Sequence, residues 1–139
     1  MASYFITGTS RGIGLQLTAS LASRPSSEVS KVFAAARKQS DDLKKLIDGS
    51  NGRVQFVPLE VTTPKSAEEA AQIAEKSLNG QGLDYLINNA GIMNITPNGI
   101  VEMNDLSETL NTNVVGVHNV IAALLPLVRK SNLKKVINM

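Results

Sequence analysis

The stretch Thr7-Gly8-Thr9-Ser10-Arg11-Gly12-Ile13-Gly14 constrains the fold of this chain more than any other. It follows the apolar, β-prone run Tyr4-Phe5-Ile6-Thr7. After it, Leu15, Leu17, Ala19, Leu21 and Ala22 continue as a helix expected to stop near Pro25. A strand that turns directly into a helix presents the helix's unpaired N–H groups at the positive end of its dipole. An anion can bind there if no Cβ blocks its approach, and glycine removes that block. The same turn can also be a plain strand-to-helix connection with no ligand. Ser10 can donate to a phosphate, cap the helix at Gly12-Ile13, or do both.

Beyond the turn, short β-rich runs alternate with longer segments of helical spacing, the pattern of parallel strands joined by crossover helices, so the class is α/β. Lys31 to Ala36 reads as a second strand, and Asp41 to Ile47 as a helix stopped by Gly49-Ser50-Asn51-Gly52. Val54 to Leu59 reads as a third strand, whose Pro58 suits the outermost position of a sheet. Thr63-Pro64 opens a helix that runs to Leu78 before Asn79-Gly80, and Leu83 to Asn88 is a fourth strand. A Gly/Pro/Asn-rich loop from Gly91 to Gly99 precedes a long helix from about Leu106 to Lys130, with apolar residues repeating at three and four and Pro126 near its end. Lys134 to Asn138 reads as a fifth strand. No repeat or linker divides the chain, so residues 1–139 are expected to form one domain.

Composition narrows the chemistry. There is no Cys and only one His, His118, which excludes disulfides, thiolate metal sites, cysteine nucleophiles and histidine-based metal clusters. The formal charge is +2 and the pI about 9.0, but no basic run interleaved with aromatics tracks a nucleic-acid backbone, so no nucleic-acid partner is expected. No uninterrupted apolar run reaches the roughly 18 residues of a membrane span, and the N-terminus lacks the pattern of a secretory signal. The expectation is therefore a soluble, cytoplasmic protein with no membrane partner.

The glycine spacing, G-x-x-x-G-x-G within Thr7 to Gly14, resembles the T-G-x-x-x-G-x-G motif of the short-chain dehydrogenase/reductase family. By analogy with dinucleotide-binding folds, Gly8 would permit the sharp turn, Gly12 the close approach of backbone to pyrophosphate, and Gly14 tight packing of helix on sheet. Asn88-Asn89-Ala90-Gly91, directly after the fourth strand, matches the N-N-A-G signature of the same family; read alone, it is a strand-ending turn. The resemblance implies that Asn89, Ala90 and Gly91 brace the central sheet and pass beside the cofactor ribose. It also implies that Asn113, within Leu110 to Gly116, is the helix asparagine that positions a water in a proton relay; the alternative is an asparagine facing solvent. The fold implied is a Rossmann-type doubly wound parallel sheet of order 3-2-1-4-5, interrupted after the fifth strand.

Charge decides between cofactors. NAD binders usually carry an acid after the second strand to hold the ribose hydroxyls, whereas a 2′-phosphate is attracted by arginine. Here Val32 to Ala36 is followed by Arg37-Lys38, with no acid before Asp41, and Arg11 adds a cation within the turn. This favours NADP(H); the plainer alternative makes Arg37 and Lys38 a solvated helix start. Leu59-Glu60-Val61-Thr62 resembles the family's D-V segment, whose acid contacts the adenine amino group. Glu60 departs from it by one methylene, which keeps the acceptor but moves it by about one bond length.

The family's chemistry requires a serine that holds the substrate carbonyl and a Tyr-x-x-x-Lys pair for proton transfer. The only tyrosines are Tyr4 and Tyr85, and four residues beyond them stand Gly8 and Asn89. The serine is expected just past the fifth strand. The resemblance thus covers the front half or so of a family member that reduces a small-molecule carbonyl, or oxidises an alcohol, with NADP(H). The 139 residues by themselves are expected to turn over negligibly. More loosely, Thr7 to Gly14 with Ala35-Ala36-Arg37 resembles ketoreductases of the fungal norsolorinic acid reductase type. The competing readings are a non-catalytic module that binds NADP(H) or a protein, and a folded relic that binds nothing. A homo-oligomer is implied for the parent protein, and the fifth strand is expected to form an exposed edge prone to pairing.

Overall fold

In the computed structural model, which describes residues 1–139, a five-stranded parallel sheet is flanked by helices on both faces. The elements run β1 (Ala2–Thr7), α1 (Gly12–Ala22), β2 (Val29–Ala36), α2 (Asp41–Asp48), β3 (Val54–Pro58), α3 (Pro64–Leu78), β4 (Tyr85–Asn88), α4 (Leu106–Leu110), α5 (Gly116–Lys130) and β5 (Lys135–Asn138). The strand order is β3-β2-β1-β4-β5, as expected, and β3 with its terminal Pro58 lies at the edge.

Alternation along the strands divides the core. Phe5, Phe33, Ala35, Val57 and Leu86 face α3 and α5, where Ala67, Ala70, Ala74, Leu78, Val120, Leu124, Leu127 and Val128 are buried. On the other face Ile6, Val32, Ala34, Val54 and Ile87 pack with Leu43 of α2 and, more shallowly, with Leu15, Leu17 and Leu21 of α1. The continuous apolar run of β2 reflects this burial on both faces. Small alanines on α3 let that helix lie close to the sheet, and Asn79, at φ 49 and ψ 50, ends it in a left-handed cap.

Several boundaries differ from the sequence expectation: β1 begins at Ala2 instead of Tyr4 and β4 at Tyr85 instead of Leu83, and two further differences have a visible cause. β2 begins at Val29, because Ala2 pairs with Val29 before a register shift aligns Ser3 with Lys31. The long helix is not uniform either: Asn111–Val115 form a π-helical turn between α4 and α5, and a 3-10 turn occupies Gly99–Glu102. Length and apolarity would let Leu106–Lys130 cross a membrane, with a mean hydropathy of 1.3 over its 18-residue window. Its α5 portion packs on the sheet through Val120, Leu124, Leu127 and Val128.

At the amino ends of the strands, Asp84 ties three segments together. Its carboxylate accepts from the Ser3 N–H at 2.8 Å and the Ser3 hydroxyl at 3.1 Å, and from the Ser131 hydroxyl after α5. Tyr4 and Tyr85 stack nearby, 4.6 Å between ring centres. Burial, reinforced by Tyr85 and Asp84, pushes the Tyr4 phenol above its usual range, and burial lowers the Lys31 ammonium. Both groups lie on the amino-terminal side of the sheet, leaving its carboxyl ends as the place to seek a site.

Candidate functional site

The chain direction reverses its progress across the sheet between β1 and β4, and a crevice opens at such a switch point beyond the carboxyl ends of the strands. The two glycine-containing motifs follow these two strands. Thr7 joins them: its Oγ1 accepts from the Asn89 and Ala90 N–H groups at 3.0 and 2.9 Å. In return, Asn89 Nδ2 donates to the carbonyls of Thr7 and Gly8 at 2.9 and 3.2 Å. The Asn89 side chain therefore ties the segment after β4 to the start of the turn.

The turn itself fits an anionic ligand. Arg11 is extended at φ −163, and the first intrahelical bond runs from the Leu15 N–H to the Arg11 carbonyl at 3.4 Å. This leaves the amides of Gly12, Ile13 and Gly14 without protein acceptors. Gly12 sits at φ 58 with nothing within 4 Å of where a Cβ would stand, so the space above these amides is open. Gly14 is required for the opposite reason. A Cβ there would overlap the Gly8 carbonyl oxygen and lie 2.6 Å from Asn89 Nδ2, so only glycine lets α1 approach β1 and β4 this closely. Gly8 makes the turn at φ 73 against Ala90. Ile13 is 66% exposed at the helix start.

Ser10 does not cap α1: the helix starts after Arg11 and has no side-chain cap. Instead the Ser10 carbonyl accepts from the Ser40 hydroxyl at 2.6 Å, while Ser40 Oγ also accepts from the Leu43 N–H at 3.3 Å as the cap of α2. Thr9 donates through its N–H and Oγ1 to the Ala35 carbonyl. These links set the end of β2 beside the turn. Arg37 follows there, its side chain 78% exposed, with Nε 4.0 Å from Glu60 Oε2 after β3. Glu60 Oε1 accepts from the Thr62 hydroxyl at 3.0 Å and its N–H at 3.4 Å.

Val61 is buried, its carbonyl taking the Asn119 Nδ2 at 3.0 Å and its side chain filling the space that a Cβ on Gly116 would need. Asn113 holds the loop after β4: its Oδ1 accepts from the Ile92 N–H at 2.9 Å and its Nδ2 donates to the Ile92 carbonyl at 2.8 Å. Next to this contact a Cβ on Gly91 would stand 3.1 Å from Asn113 Oδ1. The π turn carries this asparagine toward the loop. It is exposed, yet bonded to protein at both ends of its amide.

The residues singled out from sequence thus gather at the carboxyl ends of β1 to β4, in three linked groups: the turn with Asn89 and Ala90, the Arg37 and Glu60 pair, and Gly91 with Asn113. Sequence reasoning gave Thr7 no role although it opens the glycine motif, and passed over Ser40 and Asn119, single polar residues with no motif to mark them. A hydroxyl ending a buried strand, as at Thr7, was the available signal.

The sequence profile of the short chain dehydrogenase family matches residues 3–139. This chain belongs to that family of oxidoreductases. A short-chain dehydrogenase/reductase named AacuF, from Aspergillus aculeatus, is 37% identical over 147 aligned residues covering 99% of this chain and 53% of that protein. Human retinol dehydrogenase 16 is 34% identical over 91% of this chain and 39% of its own length. Among solved structures, an NADPH-bound carbonyl reductase from chicken fatty liver superposes with a TM-score of 0.80 at 34% identity, covering 94% of this chain and 52% of that one. The carbonyl reductase Sniffer of D. melanogaster gives 0.82 at 28% identity, covering 94% and 53%. This short-chain dehydrogenase chain spans about half the length of most of these relatives.

Proposed function

We propose that this chain is the NADP(H)-holding part of a short-chain dehydrogenase that interconverts a small-molecule carbonyl and its alcohol. The observation that carries the reading is the set of unpaired amides of Gly12, Ile13 and Gly14 above an open glycine, at the switch point of the sheet. Those amides and the dipole of α1 suit a pyrophosphate. Arg37, with Arg11 and Lys38 available on the same side, would take the 2′-phosphate, and Glu60 would accept from the adenine amino group. Asn89, Ala90 and Gly91 would pass beside the ribose, with Asn113 fixing the loop that bounds the nicotinamide side and serving the proton relay. A bound nicotinamide supplies or accepts the hydride. The name of the NADPH-bound chicken carbonyl reductase supports this cofactor and substrate class.

The 139 residues contain no Tyr-x-x-x-Lys, so we assign proton donation to the carbonyl oxygen to none of them and expect negligible turnover from the chain alone. We further propose a cytoplasmic homo-oligomer as the working form, with substrate preference of the ketoreductase kind. Calorimetric titration with NADPH and NADH tests the cofactor reading. NADPH should bind more tightly, and Arg37→Asp should weaken it by at least about ten-fold while sparing NADH, since a hydrogen-bonded charge contributes about 1.5–3 kcal/mol. An unchanged NADPH to NADH ratio would sink the role of Arg37. Binding of neither nucleotide would point to the relic.

A further inference from the structure

We propose that Glu60 limits the preference for NADPH over NADH by competing with the 2′-phosphate for Arg37. The inference rests on the reading of this site as an NADP(H) site and adds to it a residue that sets how strict the choice is.

The position of Glu60 is built, despite its exposure. The Leu59 N–H donates to the Ala36 carbonyl at 3.0 Å, which continues the register pairing Ala36 with Pro58 and brings Glu60 out beside Arg37 one residue past the level position. The Glu60 N–H donates to Ser66 Oγ at 2.9 Å, fixing its backbone to the first turn of α3. Thr62 then grips one carboxylate oxygen, Oε1, through both hydroxyl and amide. The other oxygen, Oε2, is left facing Arg37 Nε at 4.0 Å.

A guanidinium offers five N–H donors in a fixed fork. A carboxylate near the Nε side leaves the terminal nitrogens free for a phosphate, so Arg37 can meet both anions. The two anions repel each other across it, however, and the phosphate carries the larger charge. The carboxylate also lowers the positive potential that draws the phosphate in. NADH has only a hydroxyl at that carbon and is indifferent to this competition. Shortening the acid, as an aspartate would, draws the carboxylate back from Arg37. The longer side chain of this protein, clamped by Thr62, keeps it there.

The test is titration of the chain and its variants with NADPH and with NADH, at low and high salt. Glu60→Gln keeps the length and an acceptor for Thr62 but removes the charge. It should raise the ratio of NADPH to NADH affinity by about three- to ten-fold at low salt, the scale of one solvent-exposed charge pair facing a doubly charged group, and by less at high salt. Thr62→Val, which leaves the charge but frees the carboxylate, should move the ratio in the same direction by a smaller factor. In an Arg37→Met background, Glu60→Gln should have much less effect. A ratio that is unchanged or lowered in Glu60→Gln, while the parent chain still prefers NADPH, overturns the inference and leaves the cofactor reading intact. A parent chain with no preference for NADPH overturns both. Should Glu60→Gln fail to fold, an unmoved ratio in Thr62→Val decides against the inference.

Discussion

Where the glycine turn rests on β1 and β4, beneath its open amides, side chains pair with backbone and space is filled; along β5 neither holds. Thr7 and Asn89 exchange bonds across β1 and β4, Thr9 is fully buried on Ala35, and Gly14 lies in van der Waals contact with the turn it follows. On β5 every residue is exposed, Val136 and Ile137 at 39% and 41%. The buried Oδ1 of Asn88 beside it has no partner, although Asn88 Nδ2 reaches Asn138 Oδ1 at 2.9 Å. Exposed apolar residues continue through Met93, Ile95, Ile100, Val101, Leu106, Leu110, Val114 and Val115. Beneath the glycine turn the packing is close, whereas the side toward β5 and α4 presents exposed apolar surface.

The contrast is sharpest at Gly14. Gly14→Ala places a methyl group against backbone that cannot swing aside, and should cost about 3 kcal/mol of stability, read by urea unfolding. A loss below about 1 kcal/mol would mean that α1 rests on the sheet less tightly than its contacts imply. Thr7→Val keeps the shape and removes the acceptor shared by two amides. It should cost about 2 kcal/mol and weaken nucleotide binding along with it, because the turn loses its link to the segment after β4. Ile137→Thr should change stability by less than about 0.5 kcal/mol, since this side chain is not packed. It should lower self-association at high concentration in analytical ultracentrifugation, as an apolar edge is softened. A large loss of stability from that last change would erase the distinction between the two regions.

How much was legible beforehand follows the same division. The five strands and their order were legible in runs of β-branched and apolar residues and the candidate site in two glycine motifs, signals that persist because burial on both faces leaves little freedom of composition. The start of β2 lies earlier than sequence suggests because the exposed Ser30 and the half-buried Lys31 interrupt the apolar run after Val29, and pairing with Ala2 rather than propensity decides that boundary. The break in the long helix was hidden because Asn111 to Val115 keep helical spacing. What widens the turn coincides with a bond to Ile92, twenty-one residues away in sequence, that no local pattern reports. Ser10 was given a capping use it does not have; the hydroxyl of Ser40 meets its carbonyl instead. Asn89 and Glu60 stood out in sequence, while their pairing with Thr7 and with Arg37 became visible only in three dimensions.

The central place of β1 also bears on how the chain reaches this state. Its neighbour β2 follows within a short stretch, but its other neighbour β4 is joined to it through bonds such as Ser3 to Asp84, eighty-one residues apart. As the polypeptide emerges from the ribosome, the first three strands can assemble while Phe5 and Ile6 still have one open flank. That flank is sealed only when residues 84 to 88 arrive. The glycine turn is thus among the first segments to be made and among the last to be secured, and slow synthesis before residue 84 would lengthen the time it stays unguarded.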